Sequence, residues 1–336
     1  MAPKLSVEHA FAPYVRALGK GKRGSRSLSQ EEAYDAMGMI LRQEVEPEQL
    51  GAFLMLLRLK EETPAELAGF VQAVRHHHHY SNALVSGLAV DLDWSTYAGK
   101  KRHLPWFLLA ALTLANQGVR VFMHGATGHT QGRVYSEDVL RELGLPIAND
   151  WQQCQNQLNE FNFSYMSLAQ MSPALDHIIG LRSIFGLRSP VHTLTRLLNP
   201  LGAKHTIDGV FHPAYGPLHQ HTAILLKHPR SLTIRGDGGE AEIRPDNECE
   251  LQWVDEATTS DQSWPRILTK RDTQDQIMDP ARLAKLWRGE TEEPYGEAAV
   301  TSTLACCLVL LGRAKDQTEA LPLATTWWQN RNKSFM

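Results

Sequence analysis

Three windows of this chain carry cations with no carboxylate among them. Between Asp93 and Glu137 the formally charged side chains are Lys100, Lys101, Arg102, Arg120 and Arg133. Between Asp176 and Asp208 they are Arg182, Arg188, Arg196 and Lys204, interleaved with His177, His192 and His205. The third window is a glycine-interrupted stretch with Arg16, Lys20, Lys22, Arg23 and Arg26. Lysines and arginines grouped this way gain affinity for a polyanion by releasing phosphate counterions, which needs no base contact and implies binding without sequence preference. Trp94 and Tyr97 beside the first window would add base stacking if a single strand enters. Any one of these side chains also reads as a solvated charge balanced by EEAYD, ECELQWVDE or RGETEEPYGE. Taken together, the windows favour the polyanion.

Other candidate chemistry is weaker. Cys154, Cys249, Cys306 and Cys307 have no C-x-x-C spacing, and the last two lie in the apolar run ACCLVLLG, so they are expected as reduced core residues. His76 to His79 cannot all face one ion from a helix, where ligands recur every three or four residues, and they read as a solvated helix end. No metal site is expected. The net charge of −3 excludes a uniformly positive surface and leaves only local patches.

The elements that must position these residues fall into two groups. Apolar stripes at helical spacing (Phe11, Tyr14, Val15, Leu18; Ala33, Met37, Ile40, Leu41; Leu50, Phe53, Leu54, Leu57; Leu67, Phe70, Val71, Val74) predict four consecutive helices. Ser29 with Glu32 and Thr63 with Glu66 have capping-box spacing, and Pro47 and Pro64 suit a first helical turn. From about residue 86 short apolar runs alternate with amphipathic stretches. GLAVDLDW, VRVFMHG, HTIDGVF and SLTIRG read as strands, with helices near 104–117, 173–184, 190–198, 213–226, 280–288 and 296–312 and over SEDVLRELG. This predicts an α/β protein: an N-terminal helical bundle over 1–80, joined by helices from about 173–200, and a larger, mostly parallel sheet domain over 81–336 that holds the cleft. A length of 336 residues suits two such units. No apolar run reaches the roughly 20 residues of a membrane span, and the N-terminus lacks the pattern of a secretory signal. A soluble, cytoplasmic protein with no membrane partner is expected.

In an open α/β sheet, ligands bind at the carboxyl ends of the strands. Reading those segments in order, VDLDWSTYAGKKRH, VFMHGATGHTQGRVYSEDVLRELG, LRSIFGLRSPVHTLTRLLNPLG and RGDGGEAE, the chain resembles the anthranilate phosphoribosyltransferases of glycosyltransferase family 3, from about residue 8 to 312. The resemblance implies the nucleoside phosphorylase and phosphoribosyltransferase class of fold, with a helical dimerisation domain and a homodimer. The differences are as telling. Where that family has a glycine-rich GTGGD loop cradling pyrophosphate, this chain has Asp93-Trp94-Ser95-Thr96-Tyr97-Ala98-Gly99-Lys100-Lys101, with one glycine and two bulky aromatics. Its KHGNR motif appears as Met123-His124-Gly125-Ala126-Thr127, without either cation, and its magnesium-holding Asp-Glu pair aligns with Glu240-Ala241.

These departures are similar to those of the YbiB-type branch, which also pairs H-T-L with a later H-P-x-Y, here His192-Thr193-Leu194 and His212-Pro213-Ala214-Tyr215. The resemblance implies a binder of DNA or RNA through the phosphate backbone, without transferase activity, cofactor or magnesium. The candidate nucleic-acid contacts are Lys20, Lys22, Arg23, Arg26, Lys100, Lys101, Arg102, Arg133, Arg188 and Arg196. The rival is a glycosyl- or phosphoribosyltransferase for another substrate, with His124, Ser136, Arg182 and Glu240 as a rebuilt site.

Overall fold

The computed structural model describes residues 8–78, 88–272, 274–275 and 277–334. The four opening helices are α1 (Ala12–Gly19), α2 (Gln30–Leu41), α3 (Pro47–Lys60) and α4 (Pro64–His77). Reciprocal capping boxes at Ser29/Glu32 and Thr63/Glu66 close the starts of α2 and α4. Glu66 also reaches across to accept from the Leu28 N–H at 2.8 Å, so one buried carboxylate ties two helix starts together. His79, the last of the histidine run, lies outside the described residues.

Five parallel strands follow: β1 (Leu92–Thr96), β2 (Val121–Gly125), β3 (Phe163–Ser167), β4 (His205–Val210) and β5 (Arg230–Arg235). An antiparallel pair, β6 (Cys249–Asp255) and β7 (Thr258–Trp264), extends the edge, giving the order β3-β2-β1-β4-β5-β6-β7. The helices between and after the strands are α5 (Phe107–Asn116), α6 (Ser136–Glu142), α7 (Trp151–Phe161), α8 (Pro173–Gly180), α9 (Tyr215–Leu225), α10 (Ala281–Arg288), α11 (Pro294–Leu310) and α12 (Gln317–Gln329).

Each sheet face closes its own core. On one side, Leu92, Trp94 and Met123 pack with the almost wholly apolar α5 and α11, including Cys306 and Cys307, which are free thiols. Burial raises both thiol pKa values, so neither is a reactive thiolate. On the other side, Tyr97 and Phe122 share a core with Phe53, Leu67 and Phe70 of the helical module and with Leu175, Ile178, Val191 and Leu194. The segment around 173–198 therefore belongs with the bundle in packing terms.

That segment is more broken than its apolar pattern predicts. The 173–184 helix ends at Gly180 and restarts as a turn over Arg182–Phe185, and the 190–198 helix is a short turn over Val191–Leu194 that tightens into a 3₁₀ turn at Thr195–Leu197. These breaks bring Arg188 and Arg196 to one cleft.

Candidate functional site

The strand order reverses between β1 and β4, and a crevice opens at their carboxyl ends, the usual ligand site of such a sheet. Three loops meet there. The turn after β5 carries Gly238 and Gly239 at φ +70° and +93°, a region glycine enters without strain, and it folds back over β4. A side chain at Gly209 would collide with it, since an added Cβ would lie 2.3 Å from the Glu240 carbonyl carbon. This close approach delivers Glu240 to the β1 loop, where its Oε1 accepts the N–H groups of Ala98 at 2.7 Å and Gly99 at 2.6 Å. Burial raises the Glu240 pKa, while the two N–H bonds pull the other way.

Glu242 repeats the arrangement one step on. Its Oε2 accepts the Phe107 N–H at 2.8 Å, at the start of α5, and its Oε1 takes Lys100 Nζ at 2.6 Å. Lys100 is fully buried and lies 3.4 Å from Asp237 as well. Burial alone would depress its pKa, but the carboxylates of Glu242 and Asp237 reverse this and hold it above the ordinary lysine value. Arg133 completes the lock by donating to the carbonyls of Ala98, Gly99 and Gly238 at 2.9, 2.8 and 3.0 Å. The N–H groups and the helix start that could face a phosphate are thus bonded to the protein's own carboxylates.

The open part of the crevice lies beside this plug and has a volume of about 110 Å³. Arg58, Arg188 and Arg196 line it, with His192, Phe211, His212 and Tyr215. None of the three arginines has a carboxylate within ion-pair distance among the described residues. Burial and the neighbouring Arg196, Arg133 and Arg182 push the Arg188 pKa down to about 10, a sign of crowded positive charge. Burial, with Arg188, Arg196 and Arg182, lowers His129 to about 4. His192 falls to about 2, through burial, His129 and the arginines. Both histidines are therefore neutral near pH 7, and the positive potential comes from arginine.

The predicted residues divide sharply. Lys100 is a correction: it is a buried strut, so it cannot meet a phosphate on the surface. Trp94 and Tyr97 are corrected for the same reason. The strand alternates them into opposite cores, where Trp94 stacks on Phe107 at 5.9 Å and Tyr97 bonds His124 Nδ1 at 2.8 Å. Arg133 is occupied with carbonyls, and Arg26 is already paired to Glu32 at 2.6 Å. Lys101 and Arg102 are exposed, but Arg102 lines a second cleft together with Asp237, Asp246 and Asp272 as well as Arg244 and Arg271. Lys20, Lys22 and Arg23 sit exposed on the turn after α1, with no hydrogen bond or ion pair to the crevice among the described residues. Arg188 and Arg196 both line the crevice.

The transferase candidates are not converged on open space. Both ring nitrogens of buried His124 are engaged, one by Tyr97 and one by Asp93 at 3.2 Å, and Ser136 bonds Thr96 at 2.6 Å. Arg182 pins the loop after β2 by donating to the His129 carbonyl at 2.7 Å. Sequence reasoning missed Arg58 and Phe211. Arg58 is an ordinary last-turn cation of α3 until the fold sets it against Tyr215, to whose hydroxyl it donates at 2.7 Å.

Comparison with known proteins fits this geometry. Residues 12–78 match the helical bundle domain of a glycosyl transferase family, and residues 107–326 its a/b domain. An anthranilate phosphoribosyltransferase of Gluconobacter oxydans is 35% identical over 209 residues, which covers 62% of this chain and only 55% of that protein. The uncharacterized protein YbiB of Escherichia coli is 26% identical over 323 residues, covering 93% of this chain and 97% of that one. Among solved structures, anthranilate phosphoribosyltransferase from Thermus thermophilus superposes with a TM-score of 0.78 at 23% identity over 94% of each chain. The Saccharomyces cerevisiae enzyme in complex with PRPP and Mg superposes with a TM-score of 0.77 at 16% identity, over 96% of this chain and 94% of that one. With both domains matched in order and the sheet and bundle arranged accordingly, the chain belongs to this glycosyl transferase family, with its helical bundle and a/b domains.

Proposed function

We propose that this protein binds nucleic acid through its phosphate backbone, without sequence preference, and does not transfer a phosphoribosyl group. One observation carries the proposal. The backbone N–H groups that could cradle pyrophosphate are bonded to Glu240 and Glu242, while Arg58, Arg188 and Arg196 beside them have no carboxylate partner. A pyrophosphate would have to displace two buried carboxylates and face their charge. The yeast relative's magnesium has no counterpart site that fits here either. Ala241 stands at one of the two acidic positions, and the carboxylates around it already hold Lys100 and backbone donors.

Arginine clustered in a water-poor crevice suits phosphate oxygens, since the planar guanidinium binds two at once. The test is fluorescence anisotropy with several unrelated oligonucleotides over a salt series. The proposal expects similar affinities across sequences and a linear fall of log affinity with log salt. Changing Arg188 to Glu should weaken all of them about tenfold or more, in the range of a charge-assisted contact. A salt-independent signal would contradict it.

The curated relatives named as anthranilate phosphoribosyltransferases favour a second reading, a transferase for another phosphoribosyl substrate. Calorimetric titration with phosphoribosyl pyrophosphate and magnesium separates the two, and no heat of binding is expected.

A further inference from the structure

Phe211 immediately follows the last residue of β4, lies on the wall of the arginine crevice, and is 56% exposed. Its position is set by the backbone, which packs against the turn at Gly239: a Cβ added there would sit 3.4 Å from the Phe211 backbone nitrogen. His212 lies 5.0 Å from the ring by centroids and at 86° to it, so these two rings are not stacked on each other. Tyr215 continues the aromatic wall, 6.5 Å from His212 by ring centroids, and Arg58 is bonded to it. An exposed aromatic next to guanidinium groups that have no carboxylate at ion-pair distance among the described residues is the combination that holds single strands: stacking for bases, cations for the backbone.

Building on the nucleic-acid reading, we propose that the crevice takes a single strand, with one unpaired base stacked on Phe211 and neighbouring phosphates on Arg188 and Arg196. A duplex does not suit this place. Its base faces are hidden in the stack, and exposing one means unpairing it at a cost of a few kcal/mol. The crevice has a volume of only about 110 Å³, far too little for a section of double helix. The recognised chemistry is a base next to a phosphate, which a free nucleotide also offers. The chain form is favoured because Phe211 and the arginines lie side by side in the crevice lining, which suits a base and the phosphates flanking it.

The experiment compares four ligands, a single-stranded oligonucleotide, its blunt duplex, AMP and inorganic polyphosphate, on the wild-type protein and on Phe211→Ala and Phe211→Trp. The single strand should bind at least several-fold tighter than the duplex, with AMP far weaker. Phe211→Ala should lose about 5- to 100-fold for the single strand, the range of one base-aromatic stack. It should leave polyphosphate affinity unchanged, and Phe211→Trp should restore the single strand. Equal binding of strand and duplex, AMP binding as tight as the oligonucleotide, or an Ala variant indistinguishable from wild type overturns the single-strand proposal while leaving the nucleic-acid function intact. Failure of all phosphate polymers to bind overturns both.

Discussion

Lys100 offers the sharpest check on the plugged phosphate site, because the sequence makes it a surface cation and the structure makes it an internal counter-ion. In Lys100→Met the ammonium disappears while Glu242 and Asp237 stay buried, and an uncompensated buried charge costs about 3–5 kcal/mol. The loss belongs at the upper end of that range, because Glu242 is completely enclosed and cannot turn to solvent without releasing the Phe107 N–H. In the double change Lys100→Met with Glu242→Gln the amide oxygen can still accept from Phe107, and most of the buried charge is gone. It should regain about 2 kcal/mol or more relative to the single change, a coupling typical of residues in direct contact. Urea denaturation followed by circular dichroism reads the midpoints, with an unchanged slope as the sign that the same surface unfolds. Nucleic-acid affinity, measured where each variant is folded, should stay within about twofold of wild type, since a buried side chain releases no counterion. A Lys100→Met protein as stable as wild type, or one that is stable but binds nucleic acid tenfold more weakly, would refute the strut assignment.

Three further outcomes follow from the same geometry. Glu240→Ala strips the acceptor from the Ala98 and Gly99 N–H groups, each worth about 1–3 kcal/mol when left buried and unpaired, so the thermal midpoint should drop and added inorganic phosphate should recover part of it; no drop would show that the loop rearranges freely. His129, His192 and His228 have pKa values lowered to about 4, 2 and 3, each with burial as the first cause. A depressed histidine contributes stability that is complete above its ordinary value of 6.5 and is lost as pH falls through the folded value, so midpoints should be flat from pH 8 to about 7 and decline steadily toward pH 4; a midpoint that holds from pH 7 to 4 would contradict the burial. Changing Lys101 and Arg102 together to Glu should weaken nucleic-acid binding less than Arg188→Glu alone, because the cleft that Arg102 lines also holds Asp237, Asp246 and Asp272, and a larger effect would move the binding surface to the second cleft.

Much of the fold is legible because its signals are local. Capping residues at Ser29 and Thr63 fix helix starts by satisfying specific N–H groups, and apolar runs such as LTI and VFM can only be strands buried on both faces. The elements that escaped notice lack such signals. The α7 sequence WQQCQNQLNEF is dominated by polar amides, and α12 has Pro322 inside it. β7, TTSDQSW, is an exposed edge strand with one buried residue, and its partner β6 resembles an acidic loop in sequence because its charges alternate outward. The site was legible only in part for a different reason. Charge windows count residues along the chain, whereas availability depends on which face of a strand or turn a side chain takes. One position of alternation separates Lys100, drawn inward by Glu242, from exposed Lys101. Arg58 and Phe211 lie outside every window, and only the approach of α3 to the end of β4 brings them together.

The plug itself has a physical necessity behind it. A loop that closes over the end of a parallel strand presents backbone N–H groups into a dry space, and a helix start adds more. When phosphate is the ligand, its oxygens serve those donors. A chain that no longer binds phosphate there must supply another anion or leave the donors unsatisfied at a cost of several kcal/mol. Glu240 and Glu242 are that anion, and they bring a cost of their own, because two buried carboxylates need a cation. Lys100 is that cation for Glu242, held from the loop that is glycine-rich in the resembled enzymes, whereas the charge that favours ionised Glu240 is that of Arg196. Arg58 and Arg188 of the crevice make no ion pair with this network among the described residues, and Arg196 feels Glu240 and Asp208 only from beyond ion-pair distance.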